Sequence, residues 1–202
     1  MAESDVRETD CARTEAFSDG VFAVAITLLI LDLHVPAAAE GANLGGALWS
    51  EWPSFFAFVT SFLTILIIWI NHHRLFNLIR RVDRTFLVLN GLLLLTVTLV
   101  PFGTALVAEH VLGPEGNLAA ATYAGIAIGI ALTFNGVWRY AASGRRLLGP
   151  QAQEDVVARI NREFWFGPAL YGIAFVMAFL SPLVTLVICA ALASFFAVTA
   201  RL

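Results

Sequence analysis

Five stretches of this chain run for twelve residues or more without Asp, Glu or Arg, and they constrain its fold more than any other feature. They cover residues 20–31, 52–73, 85–108, 116–138 and 164–200, with lengths of 12, 22, 24, 23 and 37 residues, and the chain contains no lysine. A helix rises about 1.5 Å per residue and needs about 20 residues to cross roughly 30 Å of hydrocarbon. The second, third and fourth stretches therefore fit one crossing each. The fifth fits two, with Ser181-Pro182 near its middle. Proline lacks an N–H and restricts the residue before it, so a tight helical hairpin is expected there. The expected fold class is an all-α integral membrane protein. Its single six-helix domain fills residues 1–202, with helices over 13–33, 52–74, 84–108, 117–139, 162–181 and 183–200.

Composition agrees. Hydrophobic residues make up 59% of the chain and charged residues 13%, about half the charge of an average soluble domain. A net charge of −3 gives no basic field, so no nucleic-acid partner is expected. The apolar excess also excludes intrinsic disorder. Cys11 and Cys189 lie far apart and form neither a metal spacing nor a disulfide framework. No cofactor is expected, and no enzymatic activity.

The twelve arginines orient the helices. Arg7 and Arg13 precede the first stretch, Arg74, Arg80, Arg81 and Arg84 follow the second, and Arg139, Arg145, Arg146, Arg159 and Arg162 follow the fourth. Arg201 follows the last. Connections 32–51, 109–115 and the turn at Ser181 carry none. The positive-inside bias then places both termini in the cytoplasm of a multi-pass membrane protein, surrounded by membrane lipid. Trp49 and Trp52 fall at outer helix ends, and Trp69, Trp138 and Trp165 near inner ends, as an interfacial belt would have them. Residues 150–162 read as a short amphipathic connector at the inner interface.

The first stretch is too short. Twelve residues span only about 18 Å. A cleaved signal peptide would account for the deficit, because Ala37-Ala38-Ala39 supplies a small-residue site, but residues 1–19 carry more acid than base, the reverse of a signal's n-region. The alternative is a longer first helix that continues inward through Phe17 and Arg13, its polar ends facing protein or water. Intramembrane charges are expensive unless paired or hydrated, so they mark pathways or buried networks.

The residues Arg13-x-x-x-Phe17-Ser18-Asp19-Gly20, followed by the apolar run to Asp32, resemble the first-helix signature of bacterial homologues of the lysosomal potassium channel, transmembrane protein 175. Trp69-x-Asn71-His72-x-Arg74-x-Phe76, Asn90 and Val100-Pro101-Phe102 extend the resemblance. It implies a potassium-preferring cation channel, with one six-helix repeat per subunit and a homotetramer around a central pore lined by helix one. Potassium ions would be transient occupants, with no other metal. The Thr-Val-Gly-Tyr-Gly carbonyl filter of other potassium channels is absent here. Carried onto matching positions, the constriction would be Val24, Leu28 and Leu31, with Thr27 influencing selectivity. Where relatives commonly have isoleucine, this chain has the smaller Val24.

On a helix, residues 24, 28 and 31 share a face and 27 adjoins them. Cyclic symmetry turns each such position into a ring, and a narrow apolar ring gates by dewetting or by steric closure. Ordinary helix packing produces the same spacing, with Thr27 bonding back to the Ala23 carbonyl. At the inner end, a network is expected that joins Asp19 to a helix-two histidine and to the Trp69 indole, with Arg13 nearby. Arg13, Phe17, Ser18, Asp19, Trp69, Asn71 and His72 are its candidate members, with a scaffolding role. His72, titrating near neutrality in its free form, would make conduction pH-dependent. Asp32, Glu40 and Glu51 would concentrate cations at the outer mouth. A secondary transporter for a small cation or proton is the competing reading. It is weakened because helices two to six carry no Asp, Glu or Arg at mid-depth.

Overall fold

The computed structural model describes residues 2–34 and 43–199, with side chains from residue 10 to residue 197. Glu40 and the Ala37–Ala39 run lie outside the described residues. Among the described residues the chain is all α. Helix α1 covers Ala2–Leu28 and runs into a 3-10 turn, Leu29–Asp32. The remaining helices are α2 (Leu44–Ser50), α3 (Trp52–Phe76), α4 (Arg84–Thr98), α5 (Val100–His110), α6 (Gly116–Ala142), α7 (Glu154–Trp165), α8 (Gly167–Ala178) and α9 (Pro182–Thr199). Four spans are long and apolar enough to cross a membrane: Asp10–Asp32, Trp52–Phe76, Arg84–His110 and Gly116–Arg145. A shorter apolar helix covers Pro182–Ala197.

The short first stretch is resolved by length. Helix α1 runs back through Phe17 and Arg13, so its 23-residue span reaches about 34 Å. Prolines set the other boundaries. Pro101 divides the third span into α4 and α5, with Leu99 between them, because it has no N–H to return to the preceding turn. Pro168 does the same between α7 and α8. The helix expected over 162–181 is consequently broken at Phe166, and residues 162–165 belong to the amphipathic connector. Connector α7 buries Ile160 and Phe164. At the hairpin the Thr185 hydroxyl lies 3.1 Å from the Ser181 carbonyl oxygen and 3.2 Å from that of Ala174, tying α9 to α8.

Helix α6 is central, packing on α4, α5, α8 and α9. Helix α1 packs on the other side, against α3, α4 and α5. The core between them contains Phe22, Leu29, Ile65, Phe86, Leu93, Val97 and Trp138. Trp138 is a core residue and not an interfacial anchor. It is 1% exposed, and its indole N–H donates to Asn161 Oδ1 at 2.7 Å. Trp165 and Trp49 are exposed, and the Arg139 guanidinium lies 4.9 Å from the Trp165 ring centre.

The arginine-rich loops are stitched together. Gly149 N–H donates to Leu78 O at 2.8 Å and Arg80 N–H to Leu147 O at 2.9 Å, across a single bridge between Ile79 and Leu148. Asp83 caps α4 through Phe86 N–H at 2.8 Å and accepts the Tyr140 hydroxyl at 2.8 Å. The cap bond is the main reason its carboxyl titrates below the ordinary aspartate range, with the Tyr140 bond and the Arg146 charge acting the same way.

Candidate functional site

Helix α1 carries two opposed stripes. Cys11, Ser18, Phe22, Ala25 and Leu29 are buried, whereas Arg13, Phe17, Gly20, Val24, Thr27 and Leu31 are exposed. The exposed positions follow one another by alternating steps of four and three. That spacing forms the seam along which one helix meets another, or meets copies of itself. The first span is also the least covered of the four. Only 22% of its most apolar window is buried, against 39%, 39% and 44% for the others.

The four residues expected at a constriction lie on this uncovered face. Val24 is 58% exposed, Leu28 44% and Leu31 68%, and Thr27 is exposed beside them. The Thr27 hydroxyl does bond back to the backbone, but to Val24 O at 2.9 Å and not to Ala23. Its proton is thereby committed, and a lone pair of its oxygen stays available to a cation. The stripe intersperses Arg13, Gly20 and Thr27 with apolar residues. Glycine and hydroxyl residues also break the exposed faces of α4 (Gly91, Thr98) and α9 (Ser194), so what sets the first span apart is how little of it is covered. Gly20 was not foreseen as part of it. The three-residue step from Phe17 and the four-residue step to Val24 are the signal that would have found it.

The opposite face is held by polar bonds. Ser18, fully buried, accepts from Asn90 Nδ2 at 2.9 Å, and Asn90 Oδ1 lies 3.0 Å from His72 Nε2. The imidazole sits between Phe22 and Phe76, and its Nδ1 is buried with no partner among the described residues. Neighbouring Asp19 accepts the Trp69 indole N–H at 2.8 Å. One turn inward, His73 Nδ1 and Glu15 Oε1 are 2.8 Å apart. Three residues of α3 thus hold three of α1, directly or through Asn90.

The expected network differs in its wiring. Asp19 meets Trp69 as expected, but His72, three residues on and about 60° around α3 from Trp69, bonds to Asn90 on α4, while His73, about 40° to the other side, faces α1. The histidine that does reach an α1 carboxylate is His73, through Glu15. Arg13 stands exposed on the opposite face of α1, and no bond joins it to the network among the described residues. Phe17 is also exposed. Asn71 bonds within α3, donating to Ile67 O at 3.0 Å. Arg74 pairs with Glu163 at 3.1 Å, fastening α3 to α7.

At the other end, Asp32 and Glu51 line one cavity of about 410 Å3 together with His34, Ser54 and Glu109. Glu51 accepts the Ser54 hydroxyl at 3.2 Å. Among the described residues no three His, Cys, Asp or Glu side chains converge on a metal position.

Fold and site together define an all-α membrane protein whose first helix is the least covered of its four long apolar spans. The chain belongs to the TMEM175 family. The family model described as endosomal/lysosomal potassium channel TMEM175 matches residues 13–101. Over 192 residues the chain is 47% identical to a potassium channel of Chamaesiphon minutus, covering 94% of this chain and 95% of that one. A potassium channel of Streptomyces collinus is 40% identical over 178 residues, 88% of this chain and 86% of its own length. The crystal structure of the Chamaesiphon minutus homologue of the lysosomal potassium-selective channel superposes with a TM-score of 0.88 at 45% identity, covering 96% of this chain and all of that one.

Proposed function

We propose that the protein conducts potassium passively across the bacterial plasma membrane, as a homotetramer whose central pore is lined by α1. The observation that carries this reading is the stripe Arg13-Phe17-Gly20-Val24-Thr27-Leu31, exposed on the span that its own subunit covers least. Six crossings per subunit, with the arginine-rich ends in the cytoplasm, fit the charge map if the fifth is made by α8 together with the apolar residues that flank it, since the 12 residues of α8 alone span only about 18 Å, and the sixth by α9. The potassium-channel relatives support the ion.

Four copies of Val24, Leu28 and Leu31 form three aliphatic rings, which close the path sterically or by dewetting. Four Thr27 oxygens supply a weak oxygen field beside them. Potassium holds its water less tightly than sodium and so gives up less in exchanging part of its shell for those oxygens. The polar bonds from Trp69, His72 and His73 fix the rotation of α1 and keep that face toward the axis. Asp32 and Glu51 raise the local cation concentration at the outer end.

Reconstitution in liposomes tests the reading. The expected result is potassium flux down its own gradient without a second solute, from particles containing four copies by mass photometry. Strict dependence on a proton or sodium gradient would favour the transporter and overturn the channel.

A further inference from the structure

Between α3, α6, α7, α8 and α9, in the half of the bundle nearer the arginine-rich end, lies a partly open cavity of about 80 Å3 that the α1 face does not use. Most of its wall is apolar, from Ile67, Ile68, Ala131, Phe134 and Phe164. Four polar side chains interrupt it, of which Thr64 commits its hydroxyl to Thr60 O at 2.8 Å. Asn71, 7% exposed, commits its amide N–H to Ile67 O. Asn135 donates to Ala131 O at 2.8 Å and to Phe164 O at 3.0 Å. Both amide oxygens are left without a donor among the described residues. Tyr171, 9% exposed, lines the same cavity, and its hydroxyl has no hydrogen-bond partner among the described residues.

A buried tyrosine hydroxyl normally finds a partner, because leaving it unpaired forfeits its hydration for nothing. Here the side chains that carry one unpaired hydroxyl and two unpaired amide oxygens line a single small, mostly apolar chamber. That set complements a ligand carrying one hydroxyl, which can donate to an amide oxygen and accept from Tyr171. A charged head group does not fit, since the cavity lining contains no ionised side chain. Arg74, one turn beyond Asn71, is already paired with Glu163. The volume is about half that of an apolar cavity able to enclose benzene, a dry site of roughly 150 Å3. It therefore takes only the hydroxyl end of a molecule, whose apolar remainder extends through the opening.

We propose that this cavity binds the hydroxyl end of a neutral membrane-dissolved amphiphile of the long-chain alcohol class, with Tyr171 and the amide oxygens of Asn71 and Asn135 as its hydrogen-bonding partners.

Photolabelling of the full-length protein with 3-azioctanol, followed by peptide mass spectrometry, tests the site without relying on ion flux. Expected are saturable adducts on Ile67, Ile68, Ala131, Phe134 or Phe164, displaced by 1-octanol and much less by octane. Tyr171→Phe keeps the ring and removes the hydroxyl. It is expected to weaken the labelling by about three- to tenfold, the loss of one net hydrogen bond. Ala131→Phe fills the chamber and is expected to abolish labelling there. Both variants are compared with the parent by elution and melting, and the isosteric Tyr171→Phe keeps the test decisive if Ala131→Phe fails to fold. Non-saturable adducts spread over lipid-facing residues would overturn the site. So would labelling indifferent to Tyr171→Phe, or equal displacement by octane.

Discussion

The indole N–H of Trp69 on α3 donates to Asp19 Oδ1 on α1 at 2.8 Å, across 50 residues of sequence. One residue before Asp19, Ser18 is fully buried, and one residue after it, Gly20 is part of the uncovered stripe. The bond therefore sits at the edge between the two faces of α1 and sets how the helix is rotated. Trp69→Phe removes the donor and leaves the carboxylate partly buried. Hydrogen bonds to charged groups contribute about 1.5–3 kcal/mol, so unfolding in detergent is expected to show a loss in that range. Asp19→Asn in the Trp69→Phe background should cost much less than in the parent. Additive losses would mean that the two side chains do not act together.

Asn90 is the joint between α4, the Ser18 hydroxyl and His72. Asn90→Leu leaves His72 Nε2 buried without a partner and removes the bond Ser18 accepts, while Ser18 still donates to Thr14 O at 2.8 Å. Each unsatisfied buried group costs about 1–3 kcal/mol, and the variant is expected to be among the least stable single substitutions in the bundle. Thermal melting in detergent checks this. A melting temperature equal to the parent's would show that the chain of bonds is unimportant.

Thr27→Val keeps the shape of the side chain and deletes the only oxygen among the four proposed constriction positions. Potassium-to-sodium discrimination is expected to fall several-fold while flux continues, because the aliphatic rings remain. The measurement is the reversal potential under bi-ionic conditions. An unchanged value would remove Thr27 from selectivity.

In the proposed tetramer, Val24→Phe narrows one ring in all subunits at once. Potassium flux is expected to drop at least tenfold with the assembly intact, whereas Val187→Phe, exposed on α9, should leave flux unchanged. Equal effects of the two variants would contradict a pore lined by α1.

Asp83 links acid stability to the inner loops. Its folded carboxyl titrates below the unfolded value of about 3.9, chiefly because Phe86 N–H bonds the ionised form. Its contribution is fully present above that unfolded value and is lost as pH falls through the lower folded one. Asp83→Ala is expected to lower stability by about 0.5–2 kcal/mol at neutral pH, the usual cost of losing an N-cap. The gap to the parent should stay constant down to about pH 5 and close below about pH 4. Melting curves across that range decide it.

Much was legible in the linear pattern because charge in hydrocarbon is costly wherever it falls. The charge-free intervals located the apolar spans, and Ser181-Pro182 located the hairpin. The motif residues Ser18, Asp19, Trp69 and His72 identified the polar joint before its bonds were known. Misreadings arose where only local rules were available. Pro168 moved a helix boundary, and Trp138, assigned to the interface by its position, found Asn161 inside the bundle. Asn135 and Tyr171 carried no sequence signal, because their meaning depends on the cavity that five separate helices line.

What the amino-acid order determined by itself was length and solvent: apolar runs matched to a bilayer, arginines gathered on alternate loops, and a 3–4 stripe on the first helix. Which stripe of α1 is buried, which histidine meets Asn90 and which meets Glu15 were decided only by tertiary structure. Periodicity says that a helix has faces, but only the packing of α3, α4 and α5 against one of them leaves the other open.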